Sequence, residues 1–182
     1  MRARPLFLSR LGAPLLGLGL LGLSGCGGGG SDTFAPPCPK PSIPIDFNDL
    51  HRYRGAGRDN TDSVLDGRIL AVDGSCRRTD VDVVTATVTV SLELTRGPAA
   101  TSRMADVSYF VAVSDGDRIL DKQVFRLAPE FPPNTDRLRL RGDEIELRLP
   151  VSATKTAAAY RVSVGFQLTP VELEANRRRL RR

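Results

Sequence analysis

Few side chains in this sequence have the types and the spacing that chemistry requires. His51 is the single histidine, and no Gly-x-Ser-x-Gly elbow or phosphate-binding loop accompanies it. Aspartates and glutamates are numerous, but no spacing selects two of them as an acid and base pair. The sequence therefore predicts a protein that is not an enzyme and that uses no cofactor or metal ion. A hydrolase with unrecognised carboxylates is the alternative.

Leu23-Ser24-Gly25-Cys26 is the stretch with the most specific chemistry. It stands at the end of an uncharged apolar run, 11–23, and four glycines follow it. Three arginines precede the run. Such a run suits a secretory signal and is too short for a membrane-spanning helix, which needs about 20 residues. The stretch resembles the lipobox of bacterial lipoproteins. This resemblance implies that residues 1–25 are a cleaved signal peptide and that Cys26 carries the lipid.

The same resemblance predicts where the protein works. It implies a diacylglyceryl thioether on Cys26 and a further amide-linked chain, and two or more acyl chains hold a protein firmly. Gly27, rather than an aspartate, follows the cysteine, which favours the outer membrane over the inner membrane. We therefore expect a lipid-anchored protein of the cell envelope that faces the periplasm. An ordinary cleaved signal peptide with an unmodified Cys26 is the alternative.

Cys38 and Cys76 are the other two cysteines of the chain. Export would place them in an oxidising compartment, where a disulfide is the expected state of the pair. For a loop of this length, chain-entropy arithmetic gives about 4 kcal/mol of stabilisation. A metal-binding or redox pair is the alternative, although the chain has no Cys-x-x-Cys spacing.

Residues 26–44 are predicted to form a Gly/Pro-rich membrane tether. Four glycines follow Cys26, and prolines stand at positions 36, 37, 39, 41 and 44. Glycine makes a linker flexible, whereas proline stiffens and extends it. A disulfide at Cys38 would attach the distal part of this tether to the domain and leave residues 27–37 free.

The apolar pattern changes to a period of two from residue 67 onward, which indicates strands. The clearest one is 84–95, where apolar and polar residues alternate without a break, as in an antiparallel strand with one wet face. Asp115-Gly116-Asp117 predicts a tight hairpin turn. Further strands are predicted at 68–73, 105–114, 118–127 and 160–168, and at 138–149 as a bent strand or a hairpin across Gly142.

Ahead of these strands, Phe47, Leu50 and Tyr53 are spaced three apart, which predicts one or two helical turns within 46–54. Residues 45–169 are then predicted to be an all-β domain, an antiparallel sandwich of about six or seven strands. It resembles immunoglobulin-like and fibronectin-like domains in architecture alone, since the chain has no tryptophan. An open barrel is the alternative.

Residues 170–182 are predicted to be a short C-terminal helix with an arginine-rich tail. Pro170 suits the first turn of a helix, with Thr169 as the N-cap and Glu172 in the capping box. The guanidinium groups of the tail can pair with phosphates of an anionic envelope polymer or of a membrane surface. They belong to Arg177, Arg178, Arg179, Arg181 and Arg182. A solvated terminus that only aids solubility is the alternative.

The formal net charge of +5 is carried by the two ends of the chain. Three arginines lie in 1–25 and five in 177–182, which leaves a net charge of −3 on the residues between. The basic pI therefore does not indicate a nucleic-acid-binding face. An anchor, a tether, a sandwich and no visible site favour a structural or protein-binding module that docks an envelope partner through sheet edges or end loops. No small-molecule substrate is identified.

Arg141-Gly142-Asp143 matches the integrin-recognition tripeptide in its letters. Gly-Asp is also ordinary turn chemistry. An adhesive role and a simple turn are both open at this point.

Overall fold

The computed structural model describes residues 37–181. The predicted signal peptide 1–25, the predicted lipidation site Cys26, the first part of the tether and Arg182 lie outside the described residues. Within them, nine strands and one α-helix follow one another. They are β1 (Pro41–Ser42), β2 (Asp49–Tyr53), β3 (Ser63–Asp80), β4 (Val83–Arg96), β5 (Val107–Asp115), β6 (Arg118–Leu127), β7 (Arg137–Arg141), β8 (Ile145–Pro150), β9 (Tyr160–Phe166) and α1 (Pro170–Leu180).

The strands form two packed sheets. One sheet has the order β1-β9-β5-β6, and the other has the order β2-β3-β4-β7, with β8 also paired to β4. Strand β1 runs parallel to β9, and the other pairs are antiparallel. The predicted antiparallel, immunoglobulin-like sandwich with a short C-terminal helix is thus confirmed as an all-β sandwich. The parallel strand β1 was not predicted.

The core is built on the alternation in β4. Its inward side chains are at most 3% exposed, and they are Val84, Ala86, Val88, Val90, Leu92 and Leu94. Equally buried side chains of the opposite sheet pack in the same cluster, among them Tyr109, Val111, Val162, Val164 and Phe166. Full burial of an aliphatic or aromatic side chain contributes about 1.5–3 kcal/mol. This apolar layer therefore holds the two sheets together.

The outer face of β4 is less wet than its threonines predicted. Thr85 and Thr89 are only 4% and 6% exposed, because β4 lies between β3 on one side and β7 with β8 on the other. Long charged side chains from neighbouring strands cross this face and form ion pairs. They are Arg139 with Glu93, Arg77 with Glu146 and Arg141 with Asp73.

The predicted helical turns within 46–54 are wrong beyond their start. A single 3-10 turn, Ile45–Phe47, is followed by strand β2. The edge of β3 supplies backbone partners to β2, with Asp49 opposite Arg68 and Leu50 opposite Gly67. A short segment has little helical stability of its own, so this pairing decides its conformation. The side chain of Leu50 is 1% exposed as a result.

Strand β3 is much longer than the predicted strand 68–73. It has 18 residues because the equally continuous β4 pairs with it as far as Val83 opposite Asp80. The second half of β3 is polar and mostly exposed. It therefore lacks the alternation of apolar residues from which a strand is predicted. Backbone pairing to β4, rather than burial, therefore extends the strand.

Strands β7 and β8 settle the two alternatives at Gly142 in favour of a bent strand. Both pair with β4, one after the other, with Arg141 opposite Ser91 and Ile145 opposite Val88. The Gly142 amide donates to the carbonyl of Val90 at 2.8 Å. A Cβ at position 142 would lie 2.6 Å from the hydroxyl of Tyr109, so the bend needs glycine.

The predicted hairpin and C-terminal helix are both confirmed. Asp115 pairs with Arg118 across a two-residue turn, and Gly116 has a positive φ of 56°. Helix α1 begins after the N-cap Thr169, whose hydroxyl accepts from the Glu172 amide while the Glu172 carboxylate accepts from the Thr169 amide.

Cys38 and Cys76 form the predicted disulfide, with their Cα atoms 5.7 Å apart. Cys76 lies in the outer half of β3, opposite Ala86 of β4. Cys38 lies three positions before the start of β1, whose Pro41 lies against Gly74 of β3. The part of the predicted tether that follows Cys38 is therefore attached to the sandwich.

We expect the double substitution Cys38→Ser and Cys76→Ser to lower the free energy of unfolding by about 4 kcal/mol, because an open loop raises the entropy of the unfolded chain. Chemical denaturation followed by circular dichroism measures this. The native spectrum should persist, since the buried core is untouched. Cys26→Ser is the matched control, and an unchanged midpoint in the double variant would contradict the prediction.

Candidate functional site

The arginine-rich end of the chain is docked on the domain. The buried Asn176 side chain donates to the carbonyl oxygens of Asp46 and Asp49 at 3.0 and 2.7 Å. Arg177 pairs with the carboxylate of Asp46 at 3.1 Å. These contacts fix α1 beside β2 and the 3-10 turn that precedes it. Part of the predicted tail is thus packed against the folded domain as helix α1.

The tail arginines differ in what they contact. Arg178 pairs with Glu174 of its own helix at 3.8 Å, and Arg179 donates to the hydroxyl of Tyr53 at 2.5 Å. Arg181 is the C-cap residue of α1, and Arg182 lies outside the described residues. Binding of an anionic surface by the five arginines together stays a prediction.

Glu172 joins helix α1 to the edge strand β2. Besides capping the helix, its carboxylate accepts from Nε of Arg52 at 3.0 Å. Burial alone would raise the pKa of this carboxyl group, but hydrogen bonds from Thr169 and Arg52 outweigh burial and hold the pKa below its ordinary value. The folded state therefore holds this carboxylate in its charged form.

His51, Asp66 and Ser63 lie together, but in an order that does not suit nucleophilic catalysis. Asp66 is the central group: it contacts Nδ1 of His51 at 2.5 Å and accepts from the Ser63 hydroxyl at 2.7 Å. A catalytic triad needs the histidine between the acid and the nucleophile. Burial raises the pKa of Asp66, but the bonds from His51 and Ser63 outweigh it and lower the pKa. The cluster therefore suits a structural role at the start of β3.

Arg141-Gly142-Asp143 forms the bend between β7 and β8. Arg141 pairs with Asp73 of β3 at 2.8 Å, and the backbone of Gly142 is held by Val90. The arginine is thus part of the charged outer face of the sheet, and the motif is not at the tip of a loop.

The sandwich is open along one side, between strands β6 and β8. Within residues 37–181, β6 pairs only with β5, and β8 pairs only with β4. Each strand therefore has one edge whose amide and carbonyl groups can take a further strand. We call the space between these two strands the edge groove.

Two adjoining cavities of about 430 and 440 Å³ form the edge groove. Gln123 and Glu146 line both of them. The floor is apolar because it consists of core side chains of both sheets, among them Tyr109, Phe125, Ile145, Leu147 and Leu149. Each cavity has the volume of a ligand-binding cleft.

Strand β6 also exposes large apolar side chains. Ile119 is 63% exposed, Leu120 43% and Val124 53%. Leu120 stands at an irregularity of the β5–β6 pairing and lines the edge groove. Large apolar side chains that stay exposed on an edge strand are a feature of interaction surfaces.

Two carboxylates line the same cavity of the edge groove from opposite strands. Asp121 accepts from the side chain of Gln123 at 3.0 Å, and Glu146 accepts from Arg77 at 2.7 Å. Both are thus already hydrogen-bonded within the domain. The hydrolase alternative stays a prediction.

Among the described residues, no group of three or more His, Cys, Asp or Glu side chains is arranged to hold a metal ion. In the same part of the chain, no helix is long and apolar enough to span a membrane. Comparison with protein-family models, with curated proteins and with solved structures found no match.

Sequence reasoning did not locate the edge groove. It placed β6 correctly and named sheet edges in general as binding surfaces. The available signal was the composition of 118–127, where Ile119, Leu120 and Val124 do not follow the period of an inward face. The strand order decides which edge stays unpaired, and this order cannot be predicted from the local sequence pattern.

We expect Glu172→Gln to lower the free energy of unfolding by about 1–2 kcal/mol at neutral pH, because it removes a charge-assisted cap and an ion pair. A carboxylate with a lowered folded pKa stabilises the fold above its unfolded pKa, and this contribution is lost as the pH falls through the folded pKa. The difference from the parent protein should therefore shrink at about pH 3.

Denaturant unfolding at both pH values measures this effect. Glu174→Gln is the matched control, because it removes the same charge from an exposed pair on the same helix, which is worth about 0.5 kcal/mol at most. An equal loss in both variants, or a loss that persists in acid, would contradict the role assigned to Glu172.

Proposed function

We propose that this chain is a lipid-anchored protein of the bacterial cell envelope that binds an extended segment of a partner protein in the edge groove. Binding is non-catalytic: the segment adds to the free edge of β6 as a further strand. The anchor holds the domain at a membrane, and the outer membrane is favoured by Gly27.

The anchor rests on the sequence. A charged start, an apolar run and Leu23-Ser24-Gly25-Cys26 together resemble a lipoprotein signal. The disulfide between Cys38 and Cys76 supports export, because such bonds persist in oxidising compartments. Residues 27–37, ahead of the disulfide, would extend to about 35–40 Å at most, so the domain would stay close to its membrane.

The edge groove is the observation that carries the binding function. It joins an unpaired strand edge to two cavities with an apolar floor, and strand addition uses these two features: backbone hydrogen bonds for affinity, and pockets for alternate side chains. The partner segment should place apolar side chains toward Phe125 and Ile145.

Positively charged side chains on β6 indicate which residues the partner segment should carry. Arg118 and Lys122 are exposed on the edge strand, and Lys122 lies over the ring of Phe110 at 4.7 Å. Carboxylates on the outward side of the added strand would meet these cations. We therefore expect a segment in which apolar and acidic residues alternate.

A photo-activated cross-linker at Ile119 should trap one dominant protein in intact cells, because this side chain stands on the free edge. Val124→Lys in the same protein should abolish the adduct, since a charge at an apolar contact opposes docking. Gel analysis and mass spectrometry of the adduct measure the result.

Val81 supplies the matched control, because it is 88% exposed in the β3–β4 turn and lines neither cavity of the edge groove. A cross-linker there should give no dominant adduct, and Val81→Lys should leave the adduct at Ile119 unchanged. A ladder of many adducts at Ile119, or one that persists with Val124→Lys, would refute strand addition at this edge.

Cys26→Ser should release the protein from the membrane fraction, because it removes the proposed acyl attachment. Fractionation and intact mass measure this, and the parent protein should carry added acyl mass on a terminus at residue 26. Cys38→Ser is the matched control and should stay with the membrane. Persistent membrane association of Cys26→Ser would reveal a different anchor.

A further inference from the structure

Another cavity lies at the end of the domain that carries helix α1, and it shares no lining residue with the edge groove. It has a volume of about 340 Å³ and lies between the end of β2, the start of β3 and helix α1. Tyr53, Arg58 and Arg179 line it, and we call it the arginine pocket after them.

Two guanidinium groups that line the arginine pocket lie within 6 Å of the centre of one aromatic ring. Arg58 lies 5.4 Å and Arg179 lies 5.8 Å from the centroid of the Tyr53 ring. Arg58 donates through Nη1 alone, to the carbonyls of Gly55 and Gly57, and Arg179 donates through Nη2 to the Tyr53 hydroxyl. The ring thus positions two cations whose remaining N–H groups can bind a ligand.

Neither cation is neutralised by an ion pair inside the described part of the chain. The carboxylates at this end of the domain pair with neighbouring arginines instead: Glu172 pairs with Arg52, and Asp46 pairs with Arg177. Asp66 is also near Arg179, but its carboxylate oxygens bond to His51 and Ser63. The pocket therefore retains positive charge.

The pocket also offers apolar surface beside these charges. Val64, Val171 and Ala175 line it, and Val171 is 67% exposed. A ligand that carries carbon next to its charged group can cover this surface, and an inorganic anion cannot.

The geometry points to a binding site for the phosphate group of an organic phosphate in the arginine pocket. A guanidinium fork binds two oxygens of a phosphate at once, and Arg58 and Arg179 both face this one cavity. The carbon skeleton next to the phosphate then rests on the valines. Of the predicted tail arginines, only Arg179 lines this site. Its partner, Arg58, lies in a loop and was not part of the predicted anionic-surface site.

The position of the pocket bears on the source of the phosphate. Val64, near the start of β3, is separated from Cys76 by most of this strand, about 40 Å at the usual rise per residue. The tether joins the domain at the disulfide end. The pocket therefore opens at the opposite end of the sandwich, where a soluble or polymer-borne phosphate has access.

The test is calorimetric titration of the purified Cys26→Ser protein, so that no acyl chain contributes, with glycerol phosphate as the probe. We expect saturable binding, weakened about tenfold by Arg58→Gln and by Arg179→Gln. Arg118→Gln removes the same charge at the β5–β6 hairpin and should leave binding unchanged. Arg58 is exposed in a loop, so this variant tests the site even where Arg179→Gln disturbs α1.

A second arm identifies the source of the phosphate. Sedimentation with phosphatidylglycerol vesicles, against phosphatidylcholine vesicles, would show binding that depends on Arg58 when the source is a lipid headgroup. Absence of binding in both arms, or equal weakening by Arg118→Gln, would overturn the site. Cross-linking at Ile119 is independent of this pocket, so either site can fail without the other.

Discussion

The buried row of side chains on β4 is the constraint on which the rest of the structure depends. This strand pairs with β3, β7 and β8, and its inward residues are almost fully removed from water. Because an unbroken apolar face must be covered, the sheet that contains β5 and β9 packs over it. The same strand sets the length of β3 and the line along which β7 and β8 bend at Gly142. Register errors are costly here, since a slip of one residue would turn the apolar row outward.

The two long sides of the sandwich are closed unequally. On one side, β1 covers the edge of β9, the disulfide joins Cys38 to β3, and α1 packs beside β2. These elements come from the two ends of the described chain. On the other side nothing within residues 37–181 covers the gap between β6 and β8, so core side chains line cavities. The irregular pairing at Leu120 and the exposed Lys122 are features that disfavour pairing of β6 with the same strand of a second copy.

The helical end shows how docking redistributes charge. Asn176 saturates two carbonyl groups with one side chain, and this fixes the direction of α1. The arginines that follow then reach carboxylates or Tyr53, so a segment that is uniformly basic in sequence becomes a surface with distinct sites. Glu172 and Asp46 take up Arg52 and Arg177. Arg58 and Arg179 have no ion pair within residues 37–181 and lie beside the ring of Tyr53, which is the basis of the phosphate site proposed above.

The sequence by itself determined the sandwich class, the strand 84–95, the Asp-Gly hairpin, the capped C-terminal helix and the disulfide. Each of these follows from local chemistry: side-chain alternation, a turn that needs positive φ, a capping box, or two thiols left to pair. Only the tertiary structure decided that β2 is a strand rather than a helix, that β3 continues through a polar stretch, and that β1 is parallel. In those segments backbone pairing with a distant strand outweighs weak local preference. The edge groove and the arginine pocket are likewise tertiary, because each brings together residues far apart in the chain, and no local pattern records which strand edge is left unpaired.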